Sequence, residues 1–246
     1  LPFKTGAPWV VALATDRVCL LRVELHGLSE AQADHRWISK LFGVVEMKVL
    51  SVIIMANREG APAVQLAASY ALDDISFWYR SSVKEVANFV SREVVSRSKA
   101  GSMLSVEHKE YMCHVRVCTN NLSVAVLADQ EYPGRVAFAL IQEVLDLFNK
   151  SFNENQWTKF TADTTLNVQG LDELVAKYQK PEEADKIMKI QKQLDDTKDI
   201  LRKNIDQLLE RGEKIETLAA RSEDLSFQSK AFMTQSEKLN SCCSIL

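Results

Sequence analysis

The sequence has few of the features that mark an enzyme, a membrane-spanning protein or a nucleic-acid-binding protein. Its 246 residues hold no run of about 18 uncharged apolar side chains, so we expect no transmembrane helix. The net charge of -3 provides no positive field for a nucleic acid. We find no Ser-His-Asp arrangement and no glycine-rich phosphate loop. An enzyme is therefore the disfavoured class, and no cofactor is expected.

Cysteine is also scarce, and the cysteines show no paired framework. There are five of them, an odd number that suits a reducing cytosol. Cys113, His114 and Cys118 raise the question of a metal site. However, apolar and polar residues alternate through 111–118, which predicts ordinary strand residues. We therefore predict no metal site there.

The C-terminal part of the chain carries a heptad pattern. Alternating steps of three and four residues connect sixteen positions, here called the seam, of which ten are large and apolar. This pattern predicts one coiled-coil helix over residues 187–239, within a motif spanning 186–241. The seam positions are Ile187, Ile190, Leu194, Thr197, Leu201, Asn204, Leu208, Arg211, Ile215, Leu218, Ser222, Leu225, Ser229, Phe232, Ser236 and Leu239.

Arg211 stands out because it places a charge in the seam, between Leu208 and Ile215. One interpretation is a side chain that reaches the surface of a slightly misregistered helix. The other is a polar layer that fixes the register and the choice of partners. No carboxylate or glutamine of the seam could accept its hydrogen bonds. We therefore expect partner helices of other proteins to supply the acceptors.

The rest of the seam argues against stable self-association. It is weakened by polar residues, and Gly212 costs about 1 kcal/mol relative to alanine inside a helix. We therefore expect no stable homo-oligomer. The polar seam residues other than Arg211 are Thr197, Asn204, Ser222, Ser229 and Ser236.

Residues 47–178 read as one α+β domain with a mostly antiparallel sheet between helices. Strands are expected from Met47 and over 64–71, 103–106, 111–118 and 122–128. Ser82 and Glu85 have capping-box spacing, which predicts a helix start there. Further helices are expected after Pro133 and over 171–178.

Residues 1–46 fit this pattern poorly. The chain begins at Leu1, and this segment lacks the basic start and uninterrupted apolar core of a signal peptide. We expect an upstream extension that is mostly disordered, or an artefact of gene prediction. The alternative is an accessory segment that packs on the domain beginning at Met47.

The last residues, 242–246, form a lipidation motif. Cys243 is followed by Ser244, Ile245 and Leu246, which fits the C-terminal prenylation box, and the terminal leucine favours geranylgeranyl. Cys242 beside it offers a second lipid site. Because one chain gives only reversible membrane binding, a second lipid would provide stable anchoring. A chance cysteine pair is the competing explanation.

Seven stretches together make the chain similar to one family, the lipid-anchored longin-class R-SNAREs, which are synaptobrevin-like v-SNAREs. They are residues 80–83, 111–115, 131–138, 178–185, 208–214, 228–232 and 240–243. The resemblance covers residues 47–246. It implies a profilin-like longin fold, with a five-stranded antiparallel sheet between helices, followed by a SNARE coiled-coil helix.

The resemblance also implies roles for individual residues. Arg211 would be the ionic-layer arginine facing glutamines of Qa-, Qb- and Qc-SNARE helices in a four-helix bundle. Cys243 would carry a prenyl group, typically farnesyl in the family, and Cys242 a palmitoyl group, each added by its transferase. The protein would then act in vesicle docking and membrane fusion. It would be found in the cytosol and on the cytoplasmic faces of Golgi, endosomal and vesicle membranes.

Two further questions follow from this interpretation. The longin domain could autoinhibit by offering a groove, including Phe89, to the SNARE segment or to the prenyl chain; otherwise Phe89 is plain core. The protein could also be a membrane-associated coiled-coil tether without fusion activity. A tether would associate without glutamine-bearing partners.

Overall fold

The computed structural model describes residues 12–14, 17–19, 48–58, 60–181, 200–210 and 212–233. The chain divides into two units, Leu1–Glu46 and Met47–Leu246. In the first unit, β1 (Ala12–Ala14) and β2 (Arg17–Cys19) pair as antiparallel strands. The remainder of that unit lies outside the described residues. Whether most of it is disordered stays a prediction.

The second unit is built on a six-stranded sheet. Its strands are β3 (Val49–Arg58), β4 (Ala61–Tyr70), β5 (Met103–His108), β6 (Tyr111–Val117), β7 (Leu122–Asp129) and β8 (Leu201–Asn204). The spatial order is β4-β3-β7-β6-β5-β8. The first five strands pair antiparallel, as the sequence predicted, whereas β8 pairs parallel with β5. The sheet is therefore mixed, and β8 is an addition that the strand pattern did not predict.

Six helices accompany the sheet among the described residues, and residues 227–233 are also helical. The longer two are α1 (Phe77–Ser96) and α2 (Gly134–Ser151), which pack on opposite faces of the sheet. No helix in the described ranges is both long and apolar enough to cross a bilayer. The helices are α1 (Phe77–Ser96), α2 (Gly134–Ser151), α3 (Glu154–Trp157), α4 (Leu171–Lys177), α5 (Ile205–Leu208) and α6 (Ile215–Arg221).

Each face of the sheet has its own hydrophobic core, because successive strand side chains point to opposite faces. On β3, Val52 and Ile54 join the core beneath α2, while Ile53 and Met55 join the core beneath α1. The α2 core is completed by α4 and by buried aromatic side chains that include Trp157 and Tyr178. The α1 core is completed by residues from beyond position 200.

The predicted start of α1 is wrong by one and a half turns. The helix begins at Phe77, with Ser76 as its N-cap residue, and Ser82 is buried within it. The capping-box spacing of Ser82 and Glu85 is therefore coincidental. The Glu85 carboxylate instead accepts a hydrogen bond from the Ser226 backbone N–H at 2.9 Å.

The predicted single helix over residues 187–239 also differs from the structure in its described part. Residues 200–233 form a strand and short helical segments rather than a continuous helix. A long helix with one apolar stripe needs partners to cover that stripe. In the isolated chain, the apolar side chains are covered by the domain itself, and the helix is broken to reach it.

Candidate functional site: the interface between the α+β domain and residues 200–233

The segment 200–233 meets the domain first at the edge of the sheet. Leu201 to Asn204 lie beside Leu104 to Glu107 in parallel register. The pairing covers backbone groups of β5 that an edge strand would otherwise present to other chains. The Arg202 guanidinium adds an ion pair to Glu107 at 3.4 Å. β8 thus fixes the register in which the rest of the segment approaches α1.

After β8 the segment delivers apolar side chains to the α1 core. Six of them are buried in the same cluster as Phe89, Val90 and Val94 of α1 and Val106 of β5. Each fully buried aliphatic side chain contributes about 1.5–3 kcal/mol, an upper estimate for a chain that is partly compact before docking. The six are Ile205, Leu209, Ile215, Ala219, Leu225 and Met233.

Only two of these six side chains belong to the seam. Ile215 and Leu225 are seam positions, at 1% and 4% exposure. The other four each follow a seam position by one residue: Ile205 after Asn204, Leu209 after Leu208, Ala219 after Leu218 and Met233 after Phe232. The six side chains therefore form a stripe on the segment. This stripe is shifted by one residue from the seam at four positions and coincides with the seam at two.

Ion pairs secure the side of this interface along α1. The Arg92 guanidinium, with its side chain 11% exposed, binds Asp224 of the segment through one terminal nitrogen and Asp163 of the domain through the other. Arg97 pairs with Glu93 on its own helix and lies 3.8 Å from Glu213. The Asp224 side chain is 58% exposed, so water and salt still screen this contact although Arg92 is nearly buried.

Glu85 forms a second polar contact with the segment. Burial opposes ionisation of its carboxyl, but hydrogen bonds from the Ser226 backbone and from the hydroxyls of Ser229, Ser226 and Ser81 outweigh this, and the pKa is lowered. The Ser229 hydroxyl lies 3.0 Å from that of Ser226, and Ser229 is fully buried. A seam serine is thus held in a polar site on α1.

Glu216 of α6 forms a third polar contact between the segment and the domain. Burial raises the pKa of its carboxyl, but hydrogen bonds from its own backbone N–H and from Lys109 outweigh burial, and the pKa is lowered. Lys109 lies 3.2 Å from the carboxylate, and the His108 ring lies 4.0 Å away. These contacts join α6 to the turn between β5 and β6.

The break between α5 and α6 depends on one glycine. Gly212 has a φ of +91°, in the left-handed region that side chains disfavour. A Cβ placed there would meet no atom within 4 Å, so the preference for glycine comes from the backbone alone. The chain can therefore turn back towards α1 between the two helices.

The structure locates about half of the predicted seam. Leu201 is 55% exposed in β8, Asn204 caps α5, and Ile215, Leu225 and Ser229 are buried. Leu208, Leu218, Ser222 and Phe232 are half-buried. The other predicted site residues lie outside the described residues: Ile187, Ile190, Leu194, Thr197, Arg211, Ser236, Leu239, Cys242 and Cys243.

Phe89 is buried, at 4% exposure, within the cluster that contains the segment's side chains. The same cluster includes strand residues such as Ile53 and Val115. Phe89 is therefore domain core and part of the surface that receives the segment. A role for Phe89 in an autoinhibitory groove stays a prediction.

His114 and Cys113 occupy strand positions on opposite faces. Burial raises the pKa of the Cys113 thiol to about 12. The His114 ring faces α2, with Nδ1 2.9 Å from the Ser105 hydroxyl and the ring 5.5 Å from that of Phe138. Burial, with repulsion from Arg202, lowers the pKa of His114 to about 4. Both residues have strand-core environments.

Comparison with known families agrees with this architecture. The regulated-SNARE-like domain family, Longin, matches residues 68–173, and the Synaptobrevin family matches residues 186–244. The fold and the C-terminal segment thus define a longin domain joined to an R-SNARE motif. The chain belongs to the longin-class R-SNAREs of vesicle trafficking, which pair with other SNAREs.

Individual relatives narrow the family further. The chain is 46% identical over 199 residues to the putative synaptobrevin homolog YKT6 of Dictyostelium discoideum, which covers 80% of this chain and 98% of the relative. It is 41% identical to the VAMP-like protein YKT61 of Arabidopsis thaliana, over 81% of this chain and all of the relative. It is 39% identical to the synaptobrevin homolog ykt6 of Schizosaccharomyces pombe, with the same coverage.

Sequence reasoning missed the shifted stripe and the ion pairs of Arg92. A signal for the stripe was present, because Leu208-Leu209, Leu218-Ala219 and Phe232-Met233 are apolar pairs. A coiled-coil seam needs only the first member of each pair. No comparable signal identified Arg92 and Asp224, which are 132 residues apart in the sequence.

Proposed function

We propose that this R-SNARE alternates between the closed arrangement above and an open one. In the open one, residues 187–239 join a four-helix bundle with Qa-, Qb- and Qc-SNARE helices. Arg211 faces their glutamines in the ionic layer, and the seam zips from its N-terminal end towards the anchor. The longin domain inhibits assembly by holding the segment.

One observation carries this proposal. Ile215 and Leu225 are seam residues, yet both are buried against the longin domain. The same side chains cannot be buried there and in a bundle layer at once. The two arrangements therefore exclude each other, and partners must compete with the domain for these residues.

The membrane attachment in this proposal is covalent lipid. Cys243 carries a prenyl group, and Cys242 a palmitoyl group whose removal returns the protein to the cytosol. A single chain gives reversible binding, and two give stable anchoring. The expected sites are the cytoplasmic faces of Golgi, endosomal and vesicle membranes.

The test of the closed arrangement uses two neighbouring alanines. Ala219 is buried against the domain and lies off the seam, whereas Ala220 is exposed and also off the seam. We expect Ala219→Glu to expel the segment, because it places a carboxylate in an apolar core. The rate of assembly with soluble Qa-, Qb- and Qc-SNARE helices should rise about tenfold or more.

The matched control is Ala220→Glu, which adds the same charge one residue away and should leave the rate unchanged. Equal rates for both variants and the native chain would refute the proposed inhibition. A tether without fusion activity predicts a different result. Its association would not depend on glutamine-bearing partners in either variant.

A further inference from the structure

An unusual surface lies where α1 begins. Phe77, Trp78, Tyr79 and Phe227, here called the aromatic patch, are 77%, 77%, 50% and 89% exposed. Aromatic side chains of this size normally bury about 150–250 Å² each. Four of them left in water at one place mark a surface that another apolar phase covers.

The patch is assembled from both parts of the closed molecule. Phe77 and Trp78 have ring centroids 6.0 Å apart on α1. The Gln228 side chain donates to the Trp78 carbonyl at 3.4 Å, so the residue that follows Phe227 contacts α1 at Trp78. The Tyr79 ring lies 5.9 Å from Phe232 on the same helical segment. Docking of residues 227–233 on α1 therefore adds Phe227 to the three aromatic residues of α1.

The composition of the patch favours a bilayer interface over an anionic surface. Tryptophan and tyrosine prefer the headgroup level, where an apolar ring and a polar atom are both satisfied. The charged residues that flank the aromatic run balance, with Asp73 and Asp74 against Arg80 and Lys84. A zwitterionic lipid surface needs no excess of positive charge.

The position of the patch in the chain also favours a bilayer. The helical segment that carries Phe227 and Phe232 is described as far as Met233, and Cys243 lies ten positions further on. Ten residues span at most about 35 Å. A prenyl group on Cys243 would therefore hold the patch within reach of the bilayer that receives the lipid.

We propose that the closed, lipid-anchored molecule inserts this aromatic patch into the interfacial zone of the bilayer. This inference rests on the lipid anchor of the proposed function, which would keep the patch near the bilayer. The patch itself needs no lipid modification to bind. It would give the closed form a second membrane contact. Opening the molecule would separate Phe227 from Phe77 and Trp78 and weaken that contact.

The test compares the full chain before and after enzymatic prenylation, with intact mass used to verify one prenyl group. Flotation is measured with vesicles of phosphatidylcholine alone and with phosphatidylcholine vesicles that contain about 30% phosphatidylserine. The variant is Phe77→Ser with Trp78→Ser. The control is Ala176→Ser, which places a serine at an exposed apolar position on α4, outside both the patch and the segment 200–233.

The patch variant should float about tenfold less than the native chain in both preparations, whereas Ala176→Ser should float as the native chain does. Binding should change little with phosphatidylserine or salt. Equal flotation of patch variant and native chain would overturn the patch while leaving the anchor intact. If Cys243 accepts no prenyl group, the proposed anchor is wrong. Flotation of the unmodified chain would still show whether the patch binds the bilayer.

Discussion

At the scale of single residues, His114 shows how burial restricts a titratable side chain. Its ring is enclosed by the sheet and α2, with the Ser105 hydroxyl at Nδ1 and no partner at Nε2 among the described residues. Water cannot solvate an added proton there, and Arg202 repels it. The ring is therefore neutral in the folded protein at ordinary pH.

His114 should make the protein less stable as the pH falls. The pKa of His114 is about 4 when folded and about 6.5 when unfolded. Between these values the unfolded chain binds more protons, so the free energy of unfolding falls as pH is lowered through this range. The full loss is roughly 3 kcal/mol. Denaturant unfolding from pH 7 to 4 measures it.

The comparison variant for this prediction is His114→Gln, which keeps a polar side chain of similar reach without a titrating ring. Its unfolding free energy should depend less steeply on pH between about 6.5 and 4 than that of the native chain. Identical slopes would show that other groups, such as Glu85 and Glu216, account for the acid sensitivity.

At the scale of elements, the segment 200–233 has one conformation in the closed molecule and would need a different one in the proposed bundle. In the closed molecule it is β8 followed by short helices, with Gly212 at a φ of +91° between α5 and α6. In a bundle the same residues would form one helix. Gly212 favours the closed form, because glycine accepts positive φ and is a poor helix residue.

Gly212→Ala should shift the balance towards the open form. Alanine stabilises a helix by about 1 kcal/mol relative to glycine, and costs about 1–2 kcal/mol at positive φ. We expect faster hydrogen exchange in β5 and faster bundle assembly. Glu210→Ala, an exposed position in the same break, is the control. No difference between the two variants would contradict the role of the glycine.

The elements also show what the sequence could predict. Strands β3 to β7, α2 and α4 were predicted because their patterns are local, with period two or 3.6 and clear turn residues. The start of α1 was missed because Ser82 and Glu85 have the spacing of a capping box, although the helix begins before them. β8 was missed because Leu201 to Asn204 has a helical pattern, and only contact with β5 makes it a strand.

At the scale of the whole molecule, two burial schemes compete for one segment. The seam predicts partners, and the apolar residues beside it pack on the longin domain. The sequence contains both sets of apolar residues, but it does not show which set is buried in the isolated chain. That outcome depends on contacts such as Arg92 with Asp224, between residues distant in sequence.

Arg211 belongs to the open state alone in this proposal. Arg211→Leu should leave the unfolding of the longin domain unchanged, because the proposal gives Arg211 a role only in the bundle. It should reduce the preference for glutamine-bearing partners by about tenfold, since the buried glutamines lose a charged donor. Competition between glutamine-bearing and glutamine-to-leucine partner helices measures this. Unchanged selectivity would refute the ionic layer.

The pairing of β5 with β8 has a consequence for biosynthesis. The two strands lie about 100 residues apart in the chain, and closing so long a loop is slow compared with local folding. Residues 48–181 can complete their sheet and helices while the later part is still being translated. Each new molecule therefore begins with a folded domain whose β5 edge is bare, and a chaperone that covers such an edge would act before the chain closes.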